Sequence, residues 1–200
     1  MRPVRPWRLA YLRMLPIARA IHREGRRDGV EVRLLRNRVH GWNAPGLDPV
    51  VDARWALERI HAEHPGVPVV LVGHSMGGRA ALHVAGDTSV RGVCALAPWT
   101  PKNEPVEPMT GRDVLIVHGL SDRMTSPKGS YLYARSAKAV TERVARFEVA
   151  GDGHAMLRRP KLWHDLAREF VLEAAGLRKA GDPLAAAWDK PQADRLRIGI

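Results

Sequence analysis

The sequence predicts an α/β fold, in which helices cover both faces of a mostly parallel sheet. Short, continuous apolar runs, typical of buried parallel strands, mostly alternate with helical patterns along the chain. The connections between them are short, which favours right-handed crossovers. The chain has 200 residues, of which 45% are hydrophobic and 26% charged, so it can form one globular domain with a sizeable core.

The first part of the chain contains two predicted helices and one predicted strand. Residues 9–24 have apolar side chains at helical spacing, and a glycine follows them. Residues 30–39 alternate apolar and charged side chains, which is typical of a strand. Asp48, followed by proline, supplies an acceptor for the cap of a helix that runs to about residue 64 and whose buried side includes Trp55.

The rest of the chain alternates strands and helices. Continuous apolar runs predict strands over residues 68–72, 90–97, 113–117 and 144–149. Helical patterns predict helices over residues 76–85, 126–141 and 162–175. Because the carboxyl ends of parallel strands share one edge of a sheet, side chains that follow these strands are expected to lie close together.

Positive charge is concentrated near the N-terminus. The formal net charge is +11, but residues 1–38 hold 11 arginines against three acidic residues, and the remaining chain is nearly neutral. No recognition helix or aromatic and basic stacking pattern accompanies the arginines, so nucleic acid is not an expected partner. The single cysteine, Cys94, falls in a predicted strand and excludes an intramolecular disulfide. No secretory signal or membrane-spanning run is apparent, and we expect a cytoplasmic protein.

The motif Gly73-His74-Ser75-Met76-Gly77 lies between an apolar strand and a helix. A serine in this G-x-S-x-G context occupies a sharp strand-to-helix turn that lifts its hydroxyl to the rim of the sheet. The flanking glycines let neighbouring backbone approach, and the N–H of Met76 is placed to donate to an oxyanion. The alternative is a serine that only caps the following helix.

Two residues further along the chain can activate a serine hydroxyl, which is a weak nucleophile near neutral pH. Asp122 and His154 each follow a predicted strand, so both are expected at the same sheet edge as Ser75. The order Ser, Asp, His is the one that accompanies this type of turn. Asp152 is a competing acid, but it shares a tight turn with His154, which makes Asp122 the better candidate.

With these residues the chain resembles the α/β-hydrolase family over residues 9–175. The resemblance implies that Ser75 is the nucleophile, that His154 is the general base and then the general acid, and that Asp122 orients His154. It also implies that the Met76 N–H donates to the oxyanion and that the reaction is acyl transfer to water. No cofactor is expected.

One feature of the family has no match in the sequence. Before its first crossover helix, the family has a strand that ends in a His-Gly loop and supplies the second oxyanion N–H. The predicted strand at residues 30–39 corresponds instead to the strand after that loop, so His40-Gly41 does not fit the role. We therefore expect an α/β-hydrolase fold that is N-terminally truncated.

The predicted domain organisation follows from this comparison. It comprises a basic N-terminal segment at residues 1–8, a hydrolase domain at residues 9–175 and a C-terminal tail at residues 176–200. Leu196, Ile198 and Ile200 alternate in the tail, so an alternative is that the tail supplies the absent strand.

The sequence also gives indications about the substrate. Only a short, proline-containing connection separates the strands at 90–97 and 113–117, so no cap domain fits there and an open site is expected. Trp42 and Trp99 follow strands at the functional edge and are candidates for lining the substrate pocket, although a tryptophan in such a place more often covers an edge of the core. An open site of this kind fits a small carboxylic ester or thioester.

Neither a metal nor a defined protein partner is predicted. His61 and His64 lie near a helix end, but they have no further ligands and predict no metal site. Three functions are then open. The leading hypothesis is a serine hydrolase that forms an acyl-enzyme, an acyltransferase would use the same three residues, and a non-catalytic hydrolase-fold binding protein would account for the absent strand.

Overall fold

The computed structural model of the protein describes residues 3–5 and 9–200. Its strands are β1 (Val69–His74), β2 (Val90–Leu96), β3 (Asp113–Gly119), β4 (Val144–Val149) and β5 (Ile198–Gly199). They follow one another across the sheet in chain order, and every neighbouring pair is parallel. The α-helices are α1 (Leu9–Leu12), α2 (Met14–Gly25), α3 (Asp48–Glu63), α4 (Met76–Val84), α5 (Pro127–Ala137), α6 (Pro160–Ala174) and α7 (Leu184–Trp188).

Helices cover both faces of this sheet, which confirms the predicted fold class. On β2, Cys94 and Leu96 pack into an apolar cluster with α2 and α6. Val93 and Ala95 pack into a second cluster with α3, α4 and α5. All four side chains are buried. Continuous apolar runs predicted these strands correctly because both sides of each strand face a layer of helices.

The strand predicted at residues 30–39 is wrong. The segment is extended, and within the described residues it makes one β-bridge, an antiparallel contact of Val39 with Pro3. Val30 and Val32 pack against the apolar cluster on one face of the sheet. The alternating pattern therefore reflects packing of one side of the segment, and it does not report whether a neighbouring strand is present to pair with it.

Charged side chains hold this extended segment along α3. Arg33 forms an ion pair with Glu63 (2.6 Å) near the end of the helix. Near its start, the backbone N–H of Arg38 donates to the carboxylate of Asp52 (2.8 Å). Because the contacts lie at opposite ends of α3, they fix the segment along the helix without a backbone ladder.

A groove of 1500 Å³ lies beside β1, which is an edge strand of the described sheet. Aliphatic side chains of β1 and of residues 30–36 line the groove, and it extends to Ser75 and Met76. Trp55 also lines it and is 58% exposed, so the prediction that this side chain is buried is wrong. Trp55 therefore faces the groove. The same groove reaches the serine candidate.

The C-terminal residues add a strand at the opposite edge of the sheet, beside β4. The buried guanidinium of Arg146 in β4 holds them there, since it donates to the carbonyl of Leu196 (3.1 Å) and pairs with Glu148 (2.6 Å). The tail thus supplies a strand, as the alternative proposed, but it lies beside β4 and not beside β1.

Some helix ends differ from the predictions. The first predicted helix is divided at Arg13, and α5 ends at Ala137 rather than at residue 141. At the start of α3 the cap position is Leu47, while the Asp48 carboxylate accepts from the side-chain amide of Asn43 (2.8 Å). Each helix within residues 3–5 and 9–200 is too short or too polar to cross a membrane.

Candidate active site

Ser75 lies on a strained turn between β1 and α4. Its backbone has φ 56° and ψ −118°, and a positive φ is unfavourable for a residue that carries a Cβ atom. The backbone around it is fixed from two sides. Its N–H donates to the carbonyl of Leu96 (3.0 Å), and its carbonyl accepts from the N–H of Trp99 (3.2 Å). The turn therefore has the sharp geometry that the motif predicts.

Gly73 in the motif and Gly78 directly after it allow this close approach, whereas a Cβ atom at Gly77 would meet nothing within 4 Å. A Cβ atom at Gly73 would lie 2.3 Å from the carbonyl oxygen of Gly77, which is backbone and cannot move aside. One at Gly78 would lie 3.0 Å from the carbonyl oxygen of Gly73. Side chains at Gly73 and Gly78 would separate β1 from α4, so glycine is needed at both positions to form the turn.

The Ser75 hydroxyl is not used to cap α4. Ser75 occupies the cap position, but its side chain makes no capping hydrogen bond. Met76 is the first residue of the helix, where backbone N–H groups have no partner within the helix and carry partial positive charge. The hydroxyl and the Met76 N–H are therefore both available beside the groove.

His154 and Asp122 meet at the same edge of the sheet. The Nδ1 atom of His154 lies 2.8 Å from Oδ2 of Asp122, and this contact assigns the proton to Nδ1 and leaves Nε2 able to accept one. Asp152, the competing acid, is occupied elsewhere. It accepts from the indole N–H of Trp163 (2.9 Å) and from the N–H of Gly153 (2.8 Å), so it shapes the loop that carries His154.

The Asp122 carboxylate is buried but strongly stabilised as an anion. Burial by itself would raise its pKa. Hydrogen bonds outweigh that effect: the N–H groups of Thr125 (2.9 Å) and Met124 (2.8 Å) donate to one oxygen, and His154 and the Thr125 hydroxyl (2.7 Å) donate to the other. Together they lower the pKa of Asp122 to about 2, so it is ionised at neutral pH.

His74 connects the serine turn to the histidine loop. Its Nε2 atom lies 2.9 Å from the carbonyl oxygen of His154, and the centroids of the two rings are 4.6 Å apart. Burial, followed by the charge of His154, lowers the pKa of His74 to about 4. The residue before Ser75 thus touches His154, which brings the three predicted residues to one edge of the sheet.

His154 contacts the residue that precedes Ser75, but within the described residues it makes no hydrogen bond to the Ser75 hydroxyl. Among the contacts of the described residues, none joins Ser75 Oγ to Nε2 of His154. Hydrogen bonds of this kind are often long before substrate binds and shorten in the complex.

Sequence reasoning missed two residues of this site, Thr125 and His118. The Thr125 hydroxyl lies within 3.4 Å of Asp122, His154, the carbonyl of Ala97 and Nε2 of His118. His118 is fully buried, and its Nε2 is also 3.2 Å from Oδ2 of Asp122. Burial lowers the pKa of His118 to about 4, so its ring is neutral near pH 7. The position of Thr125 three residues after Asp122 was the available signal, because such residues often share a turn.

Trp42 and Trp99, the predicted pocket residues, pack together at the start of α4. Their ring centroids are 6.2 Å apart, and both stack on the guanidinium of Arg79, at 3.8 and 4.4 Å. Arg79 also forms an ion pair with Glu104. Trp99 is 39% exposed and adjoins the backbone of Ser75. A role for these tryptophans in substrate contact remains a prediction.

The chain belongs to the alpha/beta hydrolase family. The sequence profile of that family matches residues 5–197, nearly the whole chain, in agreement with the sheet, the turn and the site just described. A search of curated proteins gives no match.

Several solved structures share this fold. One is an alpha-beta serine hydrolase homologue from Coxiella burnetii, with a TM-score of 0.60 and 16% identity. The match covers 79% of this chain and 77% of the homologue's chain. A member of the alpha/beta superfamily from Xanthomonas campestris pv. campestris has a TM-score of 0.58 and 19% identity, over 77% of this chain and 88% of its own. The esterase domain of a Rhodothermus marinus protein has a TM-score of 0.52 and 18% identity, over 66% and 70%. At these identities the likeness concerns the fold.

Proposed function

We propose that the protein is a serine hydrolase that cleaves a small carboxylic ester or thioester. The observation that carries the proposal is the 2.8 Å contact between His154 and Asp122 at the sheet edge where Ser75 occupies its strained turn. Membership of the alpha/beta hydrolase family favours it, and so does the fold likeness to an esterase domain and to a serine hydrolase homologue.

In the proposed reaction, Ser75 Oγ attacks the carbonyl carbon of the ester while Nε2 of His154 takes the hydroxyl proton. The ionised Asp122 stabilises the imidazolium that results and keeps its Nδ1–H oriented. His154 then gives the proton to the departing alcohol or thiol, and an acyl group remains on Ser75. Water, deprotonated by the same Nε2, hydrolyses the acyl-enzyme and releases the acid.

The negative charge on the carbonyl oxygen needs hydrogen-bond donors. The Met76 N–H at the start of α4 is the donor that we assign, with the favourable field of the helix N-terminus behind it. Loss of one such donor typically lowers the rate about 10²- to 10³-fold. With one assigned donor we therefore expect a slow esterase. An acyltransferase, which transfers the acyl group to an acceptor other than water, would use the same residues.

A non-catalytic binding protein is the second candidate. The unpaired Ser75 hydroxyl and the 1500 Å³ groove beside β1 favour it, because a groove that ends at an unengaged serine is also suited to holding a ligand without turnover. The two functions differ in whether the bound ester is cleaved.

Hydrolysis of p-nitrophenyl acetate separates them. The wild-type protein is expected to release p-nitrophenolate in a reaction that Ser75→Ala slows at least about 10³-fold. Ser136→Ala, an exposed serine on α5, is the matched control and should retain full activity. A cooperatively folded wild-type protein with no turnover, or an equally active Ser75→Ala variant, would favour the second candidate.

A further inference from the structure

A cavity of 470 Å³ opens beside His154 and is separate from the groove along β1. His154 lines it, so a ligand in this cavity would lie next to the proposed base. Met124 and Leu157 also line it, and both side chains are largely exposed, at 78% and 72%. Exposed apolar side chains at the mouth of a cavity of this size are typical of a small-molecule site.

Three arginines, Arg13, Arg123 and Arg158, line the same cavity. Among the described residues, none of these three arginines forms an ion pair with a carboxylate. By contrast, the arginines of α3, α4, α6 and β4 that make polar contacts are each paired with a carboxylate. Arg158 is oriented by a hydrogen bond to the carbonyl of Gly151 (2.9 Å). The cavity thus collects three guanidinium groups that form no ion pair within the described residues.

The acidic groups nearby do not neutralise these arginines. Asp152 is the acidic residue among those that line the cavity, but it is 2% exposed and its two oxygens accept from Trp163 and from backbone N–H groups. The Asp122 carboxylate is held by His154 and Thr125. Three guanidinium groups against one carboxylate leave the lining of the cavity net positive, which favours an anion.

The charge of Arg13 also reaches the serine turn. After burial and the charge of His154, the guanidinium of Arg13 contributes to lowering the pKa of His74, the residue before Ser75. Arg13 thus acts on the serine turn as well as lining the cavity.

We propose that this cavity binds an anionic group of the substrate, so that the preferred ester carries a carboxylate or a phosphate. The inference rests on the proposed function, because it places the anion beside the residue that acts as base. Guanidinium groups match the two oxygens of a carboxylate or phosphate. The apolar side chains of Met124 and Leu157 would contact the hydrocarbon that joins the anion to the ester.

Two matched esters test the proposal: p-nitrophenyl hexanoate, which is neutral, and mono-p-nitrophenyl adipate, which adds a terminal carboxylate. At low ionic strength we expect kcat/KM to be about tenfold higher for the adipate ester. Added salt should reduce this preference, because the interacting charges are partly exposed. Inhibition by free adipate and by hexyl phosphate then distinguishes a carboxylate site from a phosphate site.

Charge-removing variants locate the effect. Arg13→Gln and Arg123→Gln should each raise KM about two- to fivefold more for the adipate ester than for the hexanoate ester. Arg54→Gln, an exposed arginine on α3, is the matched control and should change neither substrate. Equal kcat/KM for the two esters would overturn the proposal, as would a preference that survives replacement of Arg13, Arg123 and Arg158 together.

Failure of the proposed function gives a different result. If neither ester is hydrolysed, calorimetric titration of adipate into the folded wild-type and triple-variant proteins decides the question. Binding that the triple variant loses supports the anion site while the hydrolase function fails. Absence of binding to the wild-type protein overturns the anion site as well.

Discussion

The two halves of the candidate site are built differently. On one side, His154 is held by an Asp122 carboxylate that four donors stabilise, and the neutral ring of His118 lies buried behind it. On the other side, Ser75 lies at the end of an edge strand, beside a 1500 Å³ groove, with a hydroxyl that caps nothing. In the base half, both oxygens of Asp122 and the Nδ1 atom of His154 are hydrogen-bonded, whereas the nucleophile half is open.

This difference indicates which part of the proposed reaction the folded chain is already arranged to perform. The orientation of His154 is fixed before any ligand binds, since its carboxylate partner is buried and ionised. The Ser75 hydroxyl is positioned by its strained turn, and we expect it to contact Nε2 of His154 once substrate binds. We therefore expect changes around Asp122 to alter the rate of the chemical step and changes along the groove to alter binding.

Lowering the pH should reduce the free energy of unfolding through both halves of the site, because each half contains a neutral, buried histidine. His118 belongs to the base half and His74 to the nucleophile half, and the pKa of each is lowered from 6.5 to about 4. Below pH 6.5 the unfolded chain binds protons that the folded protein excludes, so stability falls as the pH decreases from 6.5 towards 4. At about pH 5 each histidine should cost about 2 kcal/mol of unfolding free energy relative to neutral pH.

Urea denaturation of the wild-type, His74→Gln and His118→Gln proteins at neutral pH and at about pH 5 measures this effect. Each variant should lose about 2 kcal/mol less on acidification than the wild-type protein. If one variant alone reduces the acid sensitivity, the corresponding half of the site controls it, and the other histidine is protonated in the folded state.

Removing the Thr125 hydroxyl should have a smaller effect, confined to the base half. Thr125→Val keeps the shape of the side chain but removes the 2.7 Å hydrogen bond to Oδ2 of Asp122. A lost hydrogen bond to a charged group should lower kcat about tenfold, with KM unchanged. Thr125→Ser, which restores a hydroxyl, is expected to recover most of the activity in the same ester assay.

The double variant Thr125→Val with Asp122→Asn provides the control. If Thr125 acts only by positioning Asp122, its removal should have little further effect once the carboxylate is absent. Independent, additive losses would show instead that Thr125 contributes through another contact, such as the one to the carbonyl of Ala97.

The sequence allowed the fold to be predicted wherever a strand is buried on both faces. The runs at residues 68–72, 90–97, 113–117 and 144–149 all became parallel strands, because apolar side chains are needed on both sides there. The segment at residues 30–39 failed because an alternating pattern records one packed side and says nothing about a pairing partner. Trp55 failed for a related reason, since helical spacing does not reveal that one side of α3 faces a groove.

The candidate site divides in the same way. Ser75, Asp122 and His154 were predicted from order and from their positions after strands, and the structure brings them to one edge. Thr125 was missed although it follows Asp122 by only three residues and hydrogen-bonds to it. Arg13 was missed because it meets residues 121–124 and 152–158 only in the folded chain, and no periodic pattern marks such a contact.

Labelling by a fluorophosphonate shows whether His154 and Asp122 activate the Ser75 hydroxyl, because this reagent reacts with a serine hydroxyl only when a base activates it. At neutral pH we predict one covalent adduct per chain, located on Ser75 by peptide mass spectrometry, with markedly slower labelling of Asp122→Asn and none of Ser75→Ala. If the folded wild-type protein remains unlabelled, or if Ser75→Ala is labelled as fast as the wild-type protein, then Ser75 is not the activated nucleophile.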